Sequence, residues 1–251
     1  MNKNYQNRVM QASKRGVVAA LAWIVASAAT ASSSSPEQAI SHLTPYEAVY
    51  TAYKWGDDVG EATLKLESLS NGQYSLTYSS KVSKFFLSDK RHEHSIFKID
   101  EGALVPIEYH YTRTGTGPDK SLDVTFNKDQ EGKIKVKKGD TFDYNGEFDN
   151  QIYRIDLANK LANGETQFDY SFINYRGELR SYGVEVIKRE PLDLPFGQLD
   201  AVKVKLIRDS NKRETFAWFA PTLDFALVRL QQFKDGEEQG DIKLKSFDTL
   251  D

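Results

Sequence analysis

The chain has 251 residues, no cysteine, and 33 basic against 36 acidic residues. The missing thiols exclude disulfide staples, thiolate metal sites and cysteine nucleophiles. The slightly acidic balance argues against nucleic acid as partner, because phosphate binding needs a basic face.

The first stretch carries Lys3, Arg8, Lys14 and Arg15 with no acidic residue, and an apolar run follows from Val17 to Ala29. Ala29-Thr30-Ala31 then supplies the small residues a signal peptidase reads. Basic, apolar, small is the order of a secretory leader, so a signal peptide is expected over residues 1–31, cleaved after Ala31, with Ala28 as second choice. The apolar run falls short of the roughly 20 residues that span hydrocarbon, which disfavours an uncleaved anchor. No cysteine follows it, so lipid attachment there is excluded. Cleavage leaves 29 basic against 36 acidic residues, a net charge of −7. The expected address is the periplasm, with no transmembrane span once the leader is gone.

Residues 32–45 begin serine-rich and read as a flexible lead-in to one β-rich domain over 46–251. From Tyr46 onward the dominant pattern is alternation with period two. Ala62, Leu64 and Leu66 point one way, and the rhythm recurs in Tyr74, Leu76, Tyr78 and in Leu122, Val124, Phe126. It returns in Ile134 and Val136; in Phe168, Tyr170, Phe172; in Val184 and Val186; in Val202, Val204, Leu206; and in Phe216 with Trp218. Turn signals punctuate these runs at Asn71-Gly72, Glu101-Gly102, Glu131-Gly132, Asn145-Gly146 and Asp235-Gly236, as an antiparallel meander requires. One segment breaks the rhythm. Over Asp149–Ala162, Ile152, Ile155, Leu157, Leu161 and Ala162 fall near one helical face, with Asp149 or Asn150 as cap and Asn163-Gly164 as stop. The expected fold is mainly β: a curled antiparallel sheet or half-open β barrel with one docked α-helix. Tyr46–Trp55 and Phe225–Leu230 carry apolar residues on both faces, so each is either covered twice or lines a cavity.

Catalytic motifs are absent: no Gly-x-Ser-x-Gly elbow, no phosphate-cradling loop before a helix, no His-Glu-x-x-His. Gly115-Thr116-Gly117-Pro118 reads as a hairpin loop. His92 and His94 share a strand face, and a hairpin around Asp100–Gly102 would set His110 opposite them. Three imidazoles there would suit zinc or copper, with Glu108 as a further ligand in one register; the plainer reading is ordinary sheet histidines. Phe85-Phe86-Leu87, set between Lys84 and Lys90, reads either as a buried strand or as an apolar loop at the mouth of the curled sheet. Glu93, Glu108, Asp123 and Glu185 offer carboxylates whose convergence spacing does not fix. Tyr50, Tyr78, Phe85, Phe86, Phe216 and Trp218 are the candidate ligand-binding residues.

Tyr46-Glu47-Ala48 running into Trp55-Gly56-Asp57-Asp58-Val59-Gly60-Glu61-Ala62 resembles the opening strand pair of the bacterial exported family numbered 3108 among domains of unknown function. Leu194-Pro195-Phe196-Gly197-Gln198-Leu199-Asp200-Ala201-Val202-Lys203-Val204 is similar to its loop-to-strand signature. So are Thr215-Phe216-Ala217-Trp218-Phe219-Ala220-Pro221 and Leu227-Val228-Arg229-Leu230. The match departs at Phe225-Ala226-Leu227, where the family tends to show glycine and proline. The resemblance implies an exported β fold; the family has no established activity, so it lends fold and address more than function. A looser similarity to periplasmic lipoprotein carriers of the Lol type implies a half-open barrel with a helical lid that shields an acyl chain. Together these point to a non-catalytic periplasmic protein binding an apolar or lipid-like ligand, with no cofactor. The alternatives are an envelope interaction protein with a solid core, and a metal-dependent enzyme built on the three histidines.

Overall fold

Two-residue alternation of apolar and polar side chains makes strands with one face to bury, and short Gly-containing turns fold each back on the last. The computed structural model describes residues 39–129, 131–208, 210 and 212–250; the leader and both cleavage positions lie outside them. Eight strands come first: β1 (Tyr46–Lys54), β2 (Asp57–Ser68), β3 (Gln73–Lys84), β4 (Leu87–Asp100), β5 (Ala103–Gly115), β6 (Lys120–Asn127), β7 (Lys133–Val136) and β8 (Thr141–Asp143). The short β9 (Phe148–Asp149) leads into helix α1 (Tyr153–Ala162). Then follow β10 (Gln167–Ile173), β11 (Leu179–Leu194), β12 (Gly197–Ile207), β13 (Arg213–Ala220), β14 (Ala226–Lys234) and β15 (Glu237–Thr249).

All fifteen strands form one sheet in the order β8-β7-β6-β5-β4-β3-β2-β1-β15-β14-β13-β12-β11-β10-β9. β1 pairs with both β2 and β15, so the first and last strands meet in mid-sheet. Every pairing is antiparallel except β9 with β10. Register shifts at Val49/Tyr50, Ile96/Phe97, Val186/Lys188, Trp218/Phe219 and Gln232/Phe233 bend the strands, and bulges of this kind are how a long sheet curls. The sheet curls until its two ends approach without pairing. Tyr175, just after β10, lies 5.5 Å from the Tyr111 ring of β5, and Gly177 sits against Val136 and Leu122.

Inside the curl, Ala48, Tyr50, Leu64, Leu76 and Leu244 form one buried cluster. Tyr153, Leu157 and Leu161 of α1 pack with Phe168, Tyr170, Phe172, Val204 and Phe219 in a second. Tyr109, Tyr111, Val124, Phe126 and Ile134 form a third. The long β11–β12 hairpin folds back on the sheet: Phe196 N–H donates to the Leu244 carbonyl at 3.0 Å, and Leu192 and Ala201 join the cluster that holds Trp218.

Four local outcomes differ from simple expectation. Within the lead-in Ile40 is buried and its N–H donates to the Gly102 carbonyl at 3.0 Å, while Ala39, Ser41, His42 and Thr44 are exposed. The helix proper begins at Tyr153, not Asp149. On the second face of β1 Lys243 lies 4.8 Å from the Tyr53 ring, and just beyond the strand Lys54 and Lys84 lie 4.9 and 4.6 Å from the exposed Trp55 ring. Leu227 and Val228 are both buried because the β13–β14 register slips beside them.

Phe85 and Phe86 form the tip of the β3–β4 hairpin and are each 91% exposed. Phe85 has φ +57, a left-handed conformation that costs an L-residue with a bulky side chain about 1–2 kcal/mol. The corresponding left-handed residues at Trp55, Glu101 and Asp235 are each followed by glycine; Phe85 is followed by Phe86. Since Phe85 gives up no core contact, Phe85→Asn is expected to raise unfolding stability by about 0.5–1 kcal/mol. Urea denaturation checks this, and a loss of stability would show that Phe85 makes contacts its exposure denies.

Candidate functional site

Helix α1 presents two faces. Tyr153, Leu157 and Leu161 pack into the sheet, whereas Arg154, Ile155, Ala158, Asn159 and Ala162, spaced at i, i+1, i+4, i+5 and i+8, face a cavity. Such spacing is one side of a 3.6-residue helix. The expected docking face is therefore divided, with Leu157 and Leu161 in the core and Ile155 and Ala162 on the cavity wall.

The cavity has a volume of about 370 Å³. The sheet contributes Leu64, Leu66 and Leu76, and Phe219, Leu227 and Phe247 close it from the other half. Its rim is made by His42, Leu43 and Thr44 of the docked lead-in and by the β13–β14 connection, Pro221 to Phe225. Asp224 and Phe225 in that connection have φ +49 and +55. Glycine would fit at either position without strain, and this chain instead holds two side chains in left-handed backbone at the rim. The wall is mainly apolar, with Gln151, Arg154 and Asn159 as the polar groups that α1 and its lead-in turn bring to it.

Arg154 Nη1 donates to Gln151 Oε1 at 2.5 Å, and its Nε is buried without a hydrogen-bond partner. No carboxylate of the described residues lies within 4 Å of the guanidinium. Burial pushes the Tyr46 phenol up to about 12, and burial likewise raises Tyr50 and Tyr78. The hydroxyl of Tyr50 donates to the Leu227 carbonyl at 2.8 Å.

Behind the cavity lies a buried acidic pair. Glu93 accepts hydrogen bonds from Tyr109 Oη at 2.6 Å and Asn150 Nδ2 at 2.7 Å. Asp149 is fully buried, and its Oδ1 accepts the N–H groups of Gln151 and Ile152 at 2.7 and 2.9 Å. This fixes the turn that starts α1, as an N-terminal cap does. Asp149 Oδ2 has no hydrogen-bond partner. Burial raises this carboxyl to about 6, with the Glu93 charge adding to the shift and the two backbone N–H groups opposing it.

The other sequence candidates are dispersed. Tyr50 is buried and Tyr78 packs against the same cluster, but neither lines the cavity. Phe216 and Trp218 sit under cations: Lys203 lies 4.5 and 4.8 Å from their rings, and Arg229 lies 4.6 Å from Trp218. The indole Nε1 donates to Glu190 at 2.9 Å. Phe85 and Phe86 stand at the far end of the sheet rather than at the mouth. Tyr46 at the start of β1 lines the cavity, and eight residues at about 3.3 Å each carry the strand roughly 26 Å to the tip end.

The histidines do meet. His94 is directly opposite His110, and the His92 and His94 rings stack 6.5 Å apart. One nitrogen of each of two rings is bonded, His94 Nδ1 with Thr77 at 2.9 Å and His92 Nδ1 with Ser79 at 3.0 Å, while both nitrogens of His110 are, with Asp123 at 2.8 Å and Glu108 at 3.3 Å. Burial and the neighbouring imidazoles lower His94, while the Asp123 hydrogen bond raises His110. Among the described residues, no group of three His, Asp or Glu side chains is arranged to hold a metal ion. Likewise, no described helix is long and apolar enough to cross a membrane.

Sequence reasoning missed Arg154, Gln151 and the aliphatic wall. A signal was present: Arg154 interrupts the apolar side of the one helix, between Ile152 and Ile155 and four residues before Ala158.

A family model described as "Protein of unknown function (DUF3108)" matches residues 46–243. No curated protein matches. A β-barrel-like protein of domain of unknown function DUF1849 from Brucella abortus superposes with a TM-score of 0.58 at 12% identity, covering 84% of this chain and 99% of that one. This likeness shows the fold. A "putative lipoprotein" from Parabacteroides distasonis aligns at TM-score 0.35 and 13% identity, over 83% and 97% of the two chains. A "putative exported protein" with YmcC-like fold from Bacteroides fragilis aligns at 0.32 and 11%, over 84% and 98%.

Asp149 sets a pH dependence. Its folded pKa of about 6 stands above the unfolded value of about 3.9. The folded state therefore holds the extra proton, and the stability it brings is complete below about pH 4 and lost as pH rises through 6. Asp149→Asn keeps the Oδ1 acceptor without the charge. Between pH 4.5 and 7.5 its stability relative to the parent is expected to rise by about 2 kcal/mol. Paired urea titrations at the two pH values check this.

Proposed function

The chain belongs to the DUF3108 family, whose name assigns no activity, and from its own geometry we propose that it is a periplasmic, non-catalytic protein that shelters an apolar or amphipathic, lipid-like ligand between helix and sheet. The observation that carries this reading is the cavity of about 370 Å³ walled by Leu64, Leu66, Leu76, Ile155, Phe219 and Phe247. Its volume lies within the usual range for small-molecule sites, which are mostly apolar with a few placed polar groups. Each acyl methylene moved there from water contributes roughly 0.8 kcal/mol. The leader-like first 31 residues support export, and the metal-enzyme reading gains no support from the described residues, among which no group of three His, Asp or Glu side chains is arranged to hold a metal ion.

A second reading, an envelope interaction protein, is favoured by one observation. Trp55, Phe85, Phe86 and Leu87 are exposed at adjoining hairpin tips, which Lys84 ties together by donating to Asp57 at 3.0 Å. The two roles use opposite ends of the sheet and are compatible.

The neutral apolar dye N-phenyl-1-naphthylamine tests the cavity. Saturable binding of one dye per chain is expected, with loss of about tenfold in affinity in Ala158→Phe, which fills the space from the helix. Melting temperature should change little, because the new ring enters an existing void. Dye binding unaffected by Ala158→Phe, in a protein that melts normally, would sink the proposal.

A further inference from the structure

We propose that the cavity selects a single-chain amphiphile with an acidic head, a carboxylate or phosphate ester, which pairs with Arg154; this rests on the cavity being a ligand site. A guanidinium remains protonated at any physiological pH and offers five N–H donors. Here one nitrogen is directed to Gln151 and Nε is buried with nothing to donate to. An unsatisfied donor on a partly buried cation is costly, and an acidic group entering the cavity would offset that cost by pairing with the guanidinium through charge-assisted hydrogen bonds.

The protein's own carboxylates are otherwise occupied. Glu93, whose charge bears on Arg154, accepts from Tyr109 and Asn150. Asp156 accepts from Tyr170 at 2.8 Å and pairs with Lys160 at 3.1 Å. Asp149 holds the turn before the helix through Oδ1, and its Oδ2, though without a hydrogen-bond partner, is not paired with Arg154. Asp224 and His42 stand on the cavity wall, and neither is within hydrogen-bond distance of the guanidinium. The apolar remainder of the wall suits a hydrocarbon tail. At about 30 Å³ for each water-sized group, the cavity volume of about 370 Å³ holds a chain of about a dozen carbons. The net charge of the chain, −3, works against anions, so any preference for one must come from a local contact.

Displacement of bound N-phenyl-1-naphthylamine by laurate, lauryl phosphate and 1-dodecanol at pH 8 tests the proposal on the wild-type protein. Laurate or lauryl phosphate is expected to displace the dye at about tenfold lower concentration than dodecanol, the scale of one hydrogen bond to a charged group. The comparison between the two acids identifies which head group fits. Arg154→Met should erase the acid preference while leaving dodecanol binding in place, and Arg154→Lys, which keeps the charge should the methionine variant fail to fold, should retain part of it. Equal displacement by acid and alcohol would overturn the acidic head and leave the cavity reading standing. An acid preference that survives in Arg154→Met would overturn the assignment to Arg154. Failure of the dye and of all three amphiphiles to bind would overturn the cavity reading, and this inference with it.

Discussion

Two backbone N–H groups held by one buried carboxylate, those of Gln151 and Ile152 on Asp149, set the direction in which the chain leaves β9. From that turn α1 runs into the concave side of the sheet rather than along its edge. The sheet needs such an insert. Fifteen strands with one apolar face cannot hide that face by curling alone when the ends do not pair, and α1 fills part of the opening with Tyr153, Leu157 and Leu161. The part it leaves unfilled is the cavity. Cavity and cap are therefore one feature: the turn that fixes the helix also fixes which residues look into the void. The ionised Asp149 is an energetic burden at neutral pH that this placement carries with it.

The polar groups near the cavity form a graded set. Glu93 accepts from both Tyr109 and Asn150 at Oε2, Asp149 is half-satisfied, and Arg154 keeps an orphaned nitrogen. A folded protein with no use for these groups would gain by replacing them with hydrocarbon, since buried charges seldom add stability over a well-packed apolar residue. Their arrangement makes sense where the residual donor is completed from outside. The same logic separates this end of the molecule from the aromatic faces of Phe216 and Trp218. There Lys203 and Arg229 already sit over the rings, and Glu190 takes the indole proton, so nothing is left unmet.

Strands and turns were legible in the sequence because each needs only local information. Leu64 and Leu66 alternate with polar neighbours, and Glu101-Gly102 and Asp235-Gly236 adopt the left-handed pair their composition suits. The pairing of His94 with His110 followed from the hairpin between them. The cavity was not legible, because its wall comes from β1, β2, β3, α1, β13, β14 and β15 at once, and no spacing rule links Leu66 to Phe247. Aromatic size was a poor guide to lining: Trp218 and Phe216 are large, yet their strand face is the one the cations cover. Arg154 was the better clue, a charge on the apolar side of a single helix.

Backbone strain marks both ends of the sheet. At the cavity rim, Asp224 and Phe225 occupy left-handed conformations where glycine would be relaxed; at the opposite tip, Phe85 does the same beside Phe86. Neither position is a random defect of packing, since a glycine at each would be tolerated and would remove the penalty. At Phe225 the strained residue is also a cavity wall, so its side chain returns in enclosure what its backbone costs. At Phe85 no contact within the chain offsets the strain, which leaves an aromatic pair held out in water by a conformation that disfavours it. The two ends thus differ in kind: one encloses a space and keeps a donor unpaired inside it, the other exposes apolar surface and pairs its cations around it.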